Sequence, residues 1–405
     1  MAAARSAAQN YPDDAEAWEL LGEAYSHQGD LALVSLEEAL EPFRRAIEID
    51  PTFSPIYFHP IEMATALGDS EQAYQFLASL EEHSFGEGRA GRYDIFLPLT
   101  MGDEAARLDA IARVRDDVPD RELITGYFYG FRRTARSVEA DLLMSRELSR
   151  RGNARSAAEL EQSARLTQGR LDDALDLVFG PEFDDDPLRF VLLLQWTAWG
   201  GAPDDPRVRA LLDMERCGDP VRCFAQTILA ADLGEGARQE EIIERVLGLI
   251  EEQINELEES GEDDANLESL REQVLWFDVA RAYAEMRRGE TTGVPRAFER
   301  VRRLEAYANW PINARNHALR YWTAEIMLEQ GQAEQAARYF ESLWASPHGA
   351  WLTVRLPGLG DAKRAMGRDS EAREHYTAFL DAWSAAPQDH PLVMRARAGL
   401  RVLDG

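Results

Sequence analysis

Lysine is nearly missing from this 405-residue chain: of its 44 basic residues, all but Lys363 are arginine. P-loops, protein-kinase ATP sites and Schiff-base enzymes each need a lysine in a defined sequence setting. Lys363 stands in the stretch GDAKRAMG, which matches none of these settings. The scarcity of lysine therefore excludes all three kinds of site.

Long apolar runs are missing as well. The run at residues 190–194 ends at Gln195, whereas a membrane-spanning helix needs about 20 apolar residues. The opening MAAARSAAQNYPDD contains no apolar core of a signal peptide. The sequence predicts no direct membrane insertion. It leaves the compartment open: cytoplasmic for a complete chain, or extracytoplasmic for a piece of a membrane-anchored protein.

Positive charge is scarce relative to negative charge. The 73 acidic residues outnumber the 44 basic ones and give a formal net charge of −29. Proteins that bind nucleic acids neutralise phosphates with lysine and arginine, so this balance predicts no nucleic-acid partner. It is compatible with a basic protein or peptide partner. Salt adaptation is the alternative explanation for the acidity.

Cysteine occurs only twice, as Cys217 and Cys223 in the stretch RCGDPVRC. The Gly-Asp-Pro sequence between them breaks a helix, so a small loop can bring the two sulfur atoms together. A disulfide, typical of oxidising compartments, and two separate buried thiols are the alternatives. Two cysteines are too few for a structural zinc site made of cysteine alone.

Catalytic and metal-binding motifs are also absent. The stretch GEGRAG, with Gly86, Gly88 and Gly91, follows a helical pattern rather than the strand that a dinucleotide site requires. The acidic residues 184–186 do not have the spacing of an EF-hand loop, and the seven histidines show no ligand spacing. The sequence therefore predicts no catalytic residue, cofactor or metal, and an enzyme with a site in the helical middle is the less favoured alternative.

What the chain does contain is a recurring helical pattern. Residues 15–30 read AEAWELLGEAYSHQGD, with Trp18, Leu21, Gly22 and Tyr25 on one helix face and a predicted helix end at Gly29. A glycine inside a helix costs about 1 kcal/mol relative to alanine. Gly22 therefore predicts the close approach of a second helix.

That second helix lies in EEALEPFRRAIEIDP, where Ala39 and Phe43 precede Pro51. The pattern W-x2-L-G-x2-Y, then A-x3-F, then P resembles the tetratricopeptide repeat. Similar stretches span residues 53–80, 319–347 and 356–383, and Pro60 is expected to kink or break its helix. The resemblance implies an all-α fold: a right-handed α-solenoid of helix pairs, degenerate in the middle.

Four segments of one continuous solenoid are predicted along the chain. They are N-terminal repeats at 1–84, degenerate repeats at 85–235, a long helical hairpin at 236–290 and C-terminal repeats at 291–405. The hairpin carries an apolar stripe that includes Ile243, Val246 and Ile250. A dimerising coiled coil is the alternative interpretation of this stripe; the oligomeric state is left open.

In the tetratricopeptide family the first helix of each repeat forms most of the binding face, and one branch binds peptide carboxylates with basic residues and asparagine. The matching positions here are Glu19, Glu23 and Ser26 in the first repeat, and Tyr321, Glu325 and Leu328 near the C-terminus. Acidic positions repel a carboxylate. They favour a basic peptide, with a groove of merely solvated acids as the alternative.

The two ends of the chain also resemble the helical-repeat regions of bacterial eukaryotic-like Ser/Thr protein kinases and related signalling regulators. The stretches that carry this resemblance are YPDDAEAWELLGEAYSHQG, EEALEPFRRAIEIDPTFSPIYFH and REHYTAFLDAWSAAPQDHPLVMRARAGLRVL. It implies a non-catalytic interaction or sensing scaffold that belongs to a larger signalling protein. A stand-alone adaptor is the alternative.

Overall fold

The computed structural model describes residues 1–83, 90–123, 127, 137–180, 199–200, 205–212, 220–260, 264–290, 310–344 and 350–405. In this part of the chain every regular element is a helix, as the predicted all-α class requires. The helices are α1 Ala2–Asn10, α2 Ala15–Ala32, α3 Leu36–Ile49, α4 Phe58–Leu67, α5 Ser70–His83, α6 Ala90–Met101, α7 Glu104–Asp117, α8 Asp120–Leu123, α9 Val138–Arg150, α10 Ala154–Thr167, α11 Leu171–Val178, α12 Pro206–Leu212, α13 Pro220–Asp232, α14 Gly236–Ser260, α15 Asp264–Arg287, α16 Trp310–Glu329, α17 Ala333–Glu341, α18 Ala350–Val354, α19 Leu356–Ala365, α20 Asp369–Ala382 and α21 Pro391–Leu403. None of these helices is long and apolar enough to cross a membrane.

The chain divides into two compact units. Unit 1 consists of Met1–Leu177, Glu341–Pro357 and Glu374–Gln388, and unit 2 of Val178–Phe340, Gly358–Arg373 and Asp389–Gly405. In unit 1, α2 packs on α3, α4 on α5, α6 on α7 and α9 on α10. Short connections make such neighbours antiparallel. These successive pairs are the arrangement of an α-solenoid. The predicted division into four segments stays a prediction.

The first pair shows why a glycine stands on the apolar face of α2. A Cβ atom on Gly22 would lie 2.7 Å from carbons of the Phe43 ring. Phe43 is fully buried on α3, together with Ala39. The predicted close approach of a second helix is therefore present, and the atoms that come close are those of the Phe43 ring.

Local signals set several helix ends. Ser35 precedes α3 and forms a capping box: its hydroxyl accepts a hydrogen bond from the Glu38 N–H, and the Glu38 carboxylate accepts one from the Ser35 N–H. Such a box satisfies N–H groups that have no partner inside the helix. At the other end of a helix, Gly68 closes α4 with a φ of 79°, a conformation that glycine adopts without steric cost.

Two predicted helix boundaries differ from the structure. The predicted end at Gly29 was wrong, because α2 continues to Ala32 and Leu33 then adopts a φ of 53°. A glycine lowers helix propensity without ending a helix by itself. Pro60 does not kink its helix either. A 3-10 turn, Ser54–Tyr57, precedes α4, so Pro60 lies in the first turn of α4, where its missing N–H would have no helical partner.

A late segment of the chain completes the core of unit 1. The indole Nε1 of Trp344 donates a hydrogen bond of 2.8 Å to the carbonyl oxygen of Val34, 310 positions earlier in the sequence. Trp344 and Leu352 belong to one buried apolar cluster with Leu40 and Phe43 of α3. The second helix of the first pair is therefore covered partly by residues from near the C-terminus.

In unit 2, the helices α14 and α15 lie in the segment predicted as a long hairpin, and their residues pack on each other and on α13. Ile243, Val246 and Ile250 of the predicted stripe are buried within the chain, whereas Ile254 and Leu257 are half-buried. The first half of the stripe is thus occupied by intramolecular packing, which favours the ordinary hairpin over the coiled-coil interpretation.

Candidate functional site

The first helices of successive pairs in unit 1 bring a group of polar side chains together. Glu23 and His27 lie one turn apart on α2, so they share a face. His59 and Glu62 lie near the start of α4, which the preceding 3-10 turn allows to begin at Phe58. We call Glu23, His27, His59 and Glu62 the His–Glu cluster.

Glu23 lies at the centre of the His–Glu cluster. Its Oε2 atom is 3.2 Å from His27 Nε2 and 3.3 Å from His59 Nε2. Glu62 Oε2 lies 3.3 Å from the other ring nitrogen of His59, Nδ1. Tyr93 of α6 donates a hydrogen bond of 3.3 Å to Glu62 Oε1. Three successive first helices are thereby connected through polar side chains.

The close contacts shift the pKa values of this cluster. Burial alone would raise the pKa of Glu23, but the hydrogen bonds with His27 and His59 outweigh it and lower the pKa to about 2. Burial alone would lower the pKa of His59, but hydrogen bonds with Glu23 and Glu62 raise it to about 10. At neutral pH the protein thus holds a charged His59 between two carboxylates.

Contacts between rings also hold His59 in the His–Glu cluster. The His27 and His59 rings meet edge to face, with centroids 5.2 Å apart. The Phe43 ring centroid lies 5.8 Å from that of His59, and the same Phe43 ring packs against Gly22. The close packing within the first helix pair therefore also positions His59.

Of the predicted binding residues of the first repeat, Glu23 belongs to the His–Glu cluster, and Glu19 and Ser26 lie on the same helix, α2. Glu19 precedes Glu23 by one helical turn, and both side chains are half-buried, as is Ser26. Burial raises the pKa of Glu19, and the charge of Glu23 raises it further. Among the described residues, none forms an ion pair with Glu19. The charge of His59 lowers the pKa of Glu19 in part, but it does not outweigh burial and the charge of Glu23.

The second predicted group lies on α16 in unit 2, in a different setting. Tyr321 is buried, and this burial raises the pKa of its hydroxyl well above the ordinary value. Glu325 Oε1 accepts a hydrogen bond of 2.7 Å from Arg395, which also donates one of 2.6 Å to Asp361. Leu328 is half-buried. An arginine of the chain itself already pairs with Glu325, so the first-repeat group is the stronger candidate for a ligand.

The structure describes Cys223 but not Cys217. Cys223 is buried on α13 and is one half of a disulfide. Cys217 lies outside the described residues, as do Gly86, Gly88 and the acidic residues 184–186. The pairing of Cys217 with Cys223 therefore stays a prediction.

Sequence reasoning missed the two histidines of the cluster, because His27 and His59 are far apart in sequence and match no metal-binding motif. The signal that could have found them is the repeat itself. His27 and His59 stand on the first helices of two successive repeats, close to one repeat period apart. Residues on neighbouring first helices lie side by side when the repeats stack.

Comparisons with known proteins support the repeat assignment locally. A family model described as "Tetratricopeptide repeat" matches residues 318–347, which confirms the predicted repeat in that stretch. A search of curated proteins finds no match. One similar solved structure is titled "Structure of Naa15/Naa10 bound to HypK-THB". It is 14% identical, covers 99% of this chain and 76% of the other, and has a TM-score of 0.25. A likeness at that TM-score carries no argument about fold or function.

Proposed function

We propose that the chain is a non-catalytic protein-interaction scaffold, and that the face formed by α2, α4 and α6 binds a basic peptide segment. The tetratricopeptide repeat match at residues 318–347 supports the general role. Stacked helix pairs present a preformed surface, so binding does not require the scaffold to become ordered.

Glu19 is the observation that supports a basic partner. Its half-buried carboxylate lies near Glu23 and has no ion-pair partner among the described residues. Glu23 already pairs with His27 and His59, so an arginine or lysine of a partner would find its ion-pair partner in Glu19. The partner's cation would also lower the raised pKa of Glu19.

A bacterial signalling regulator is the setting that we propose for this scaffold, supported by the resemblance of its two ends to the repeat regions of such proteins. A stand-alone adaptor is the alternative. An immunoblot of native cells distinguishes them. A band far above 45.6 kDa supports a larger signalling protein, and a band at that mass supports the adaptor.

The binding test uses fluorescence anisotropy of a labelled helical peptide with alanine as background and arginine at every fourth position. A peptide with glutamate in place of arginine is the first control. All titrations contain a chelator. We expect the arginine peptide to bind and the Glu19→Gln/Glu23→Gln variant to bind it about 5- to 30-fold more weakly, since each carboxylate contributes about 0.5–1 kcal/mol.

A matched variant separates a local effect from the overall negative charge of the chain. Glu71 and Glu81 are exposed on α5, the second helix of its pair. Glu71→Gln/Glu81→Gln removes the same charge at a distance from the proposed face. If both double variants weaken binding equally, the attraction is a property of the whole chain and the proposed face is wrong.

A further inference from the structure

The geometry of the His–Glu cluster suggests a second role, beyond the proposed binding of a peptide. Glu23, His27 and His59 each offer one possible ligand atom, and these three atoms lie within 4.8 Å of one another. We propose that Glu23, His27 and His59 form a binding site for one Zn²⁺ ion that connects the first two helix pairs of unit 1.

The distances fit a tetrahedral zinc ion. Zinc lies about 2.0–2.1 Å from histidine nitrogen and carboxylate oxygen, so two ligand atoms at a tetrahedral angle are about 3.3–3.4 Å apart. Glu23 Oε2 lies 3.2 Å from His27 Nε2 and 3.3 Å from His59 Nε2. The Glu23 oxygen is therefore already at the spacing that zinc requires from both histidine nitrogens, and those two nitrogens lie within 4.8 Å of each other.

The residues around the ligands also have the arrangement of a metal site. Ligand histidines usually donate their second ring N–H to a carboxylate, which fixes the tautomer that binds the metal. Glu62 faces Nδ1 of His59 at 3.3 Å, and Tyr93 in turn donates to Glu62. This leaves His59 Nε2 directed toward Glu23. The zinc ion replaces the proton that His59 Nε2 otherwise shares with Glu23.

Solvent reaches the cluster, since 57% of the His27 side chain and 31% of the Glu23 side chain are exposed. Zinc therefore has an entry path. Two histidines and one carboxylate occupy three positions of a tetrahedral ion and leave the fourth for water or a side chain from a partner. Because α2 and α4 belong to successive pairs, binding stabilises the contact between these pairs.

The test is isothermal titration calorimetry of Zn²⁺ into the full chain after removal of metal with a chelator. We expect one zinc ion per chain. His27→Ala and His59→Ala abolish this binding, and Glu62→Gln weakens it about 10- to 100-fold. Co²⁺ serves as a spectroscopic probe, because its visible absorption reports a tetrahedral site.

His83→Ala is the matched control. His83 also belongs to unit 1, but its Nδ1 lies 2.9 Å from the Ser79 carbonyl oxygen on α5, outside the cluster. His27→Ala keeps the test informative because its exposed side chain contributes little to packing. Absence of stoichiometric binding, or equal binding by the wild type and both cluster variants, overturns the proposal. The peptide titration contains a chelator and the zinc titration contains no peptide, so either proposal can fail alone.

Discussion

Substitution of Gly22 tests whether close packing defines the first helix pair. An alanine would gain about 1 kcal/mol of helix propensity. However, its Cβ would lie 2.7–2.8 Å from three carbons of the Phe43 ring, whereas carbon atoms prefer about 3.5–4.0 Å. Overpacking of this kind costs about 1–3 kcal/mol. We therefore expect Gly22→Ala to destabilise α2 and α3 by about 1 kcal/mol overall.

Gly248 serves as the control for Gly22. It also lies inside a helix, but a Cβ atom there would meet no other atom within 4 Å. Gly248→Ala should stabilise α14 by up to about 1 kcal/mol. Hydrogen exchange with mass spectrometry measures each helix separately, which matters in a chain of two units. If Gly22→Ala leaves the protection of α2 and α3 unchanged, or if its cost is equally large in a Phe43→Leu background, the packing argument is refuted.

Three further predictions concern titration and oxidation. Hydrogen bonds with Arg150 and neighbouring arginines lower the pKa of Glu147 from 4.5 to about 2, so its stabilisation of unit 1 is lost as the pH falls through this range. In urea unfolding, the free energy of unfolding of Glu147→Gln should fall less than that of the wild type as the pH decreases from 4.5 to about 2. Burial raises the pKa of Asp232 from 3.8 to about 6, so the folded state gains stability as the pH falls between these values. Asp232→Asn should remove that gain in the same assay. Finally, Cys217 and Cys223 should react with iodoacetamide only after reduction, and alkylation of the unreduced chain would contradict the disulfide.

The fold was predictable where the sequence combines large and small residues at fixed spacing. Gly22 on α2 predicts the close approach of a second helix, and the structure contains this approach at the Phe43 ring of α3. The end of α2 was not predictable from Gly29, because a helix end depends on which backbone groups find partners. The contact of Trp344 with Val34 was also beyond the sequence, since no local pattern links two positions that far apart.

The candidate site was only partly predictable. Glu19, Glu23 and Ser26 were selected through the resemblance to the tetratricopeptide repeat, and their role as binding residues stays a prediction. His59 depends on the exact start of α4, and that start is set by a 3-10 turn which periodicity does not reveal. Glu325 looked available in the sequence, but its partner Arg395 comes from a helix 70 positions later. Whether a charge on one helix is compensated by a charge on another depends on how the helices pack, and the sequence pattern does not give this packing.

The late segment of unit 1 has a consequence for folding during translation. Residues 178–340 must be synthesised before Trp344 and Leu352 can join the cluster around Phe43. At ~5–20 residues per second, this takes on the order of 10–30 s. During that interval, the part of the α3 apolar surface that Trp344 and Leu352 cover in the native protein stays exposed on the nascent chain. Chaperones that bind apolar segments would meet this surface on the ribosome, and unit 1 reaches its native core only when translation is nearly complete.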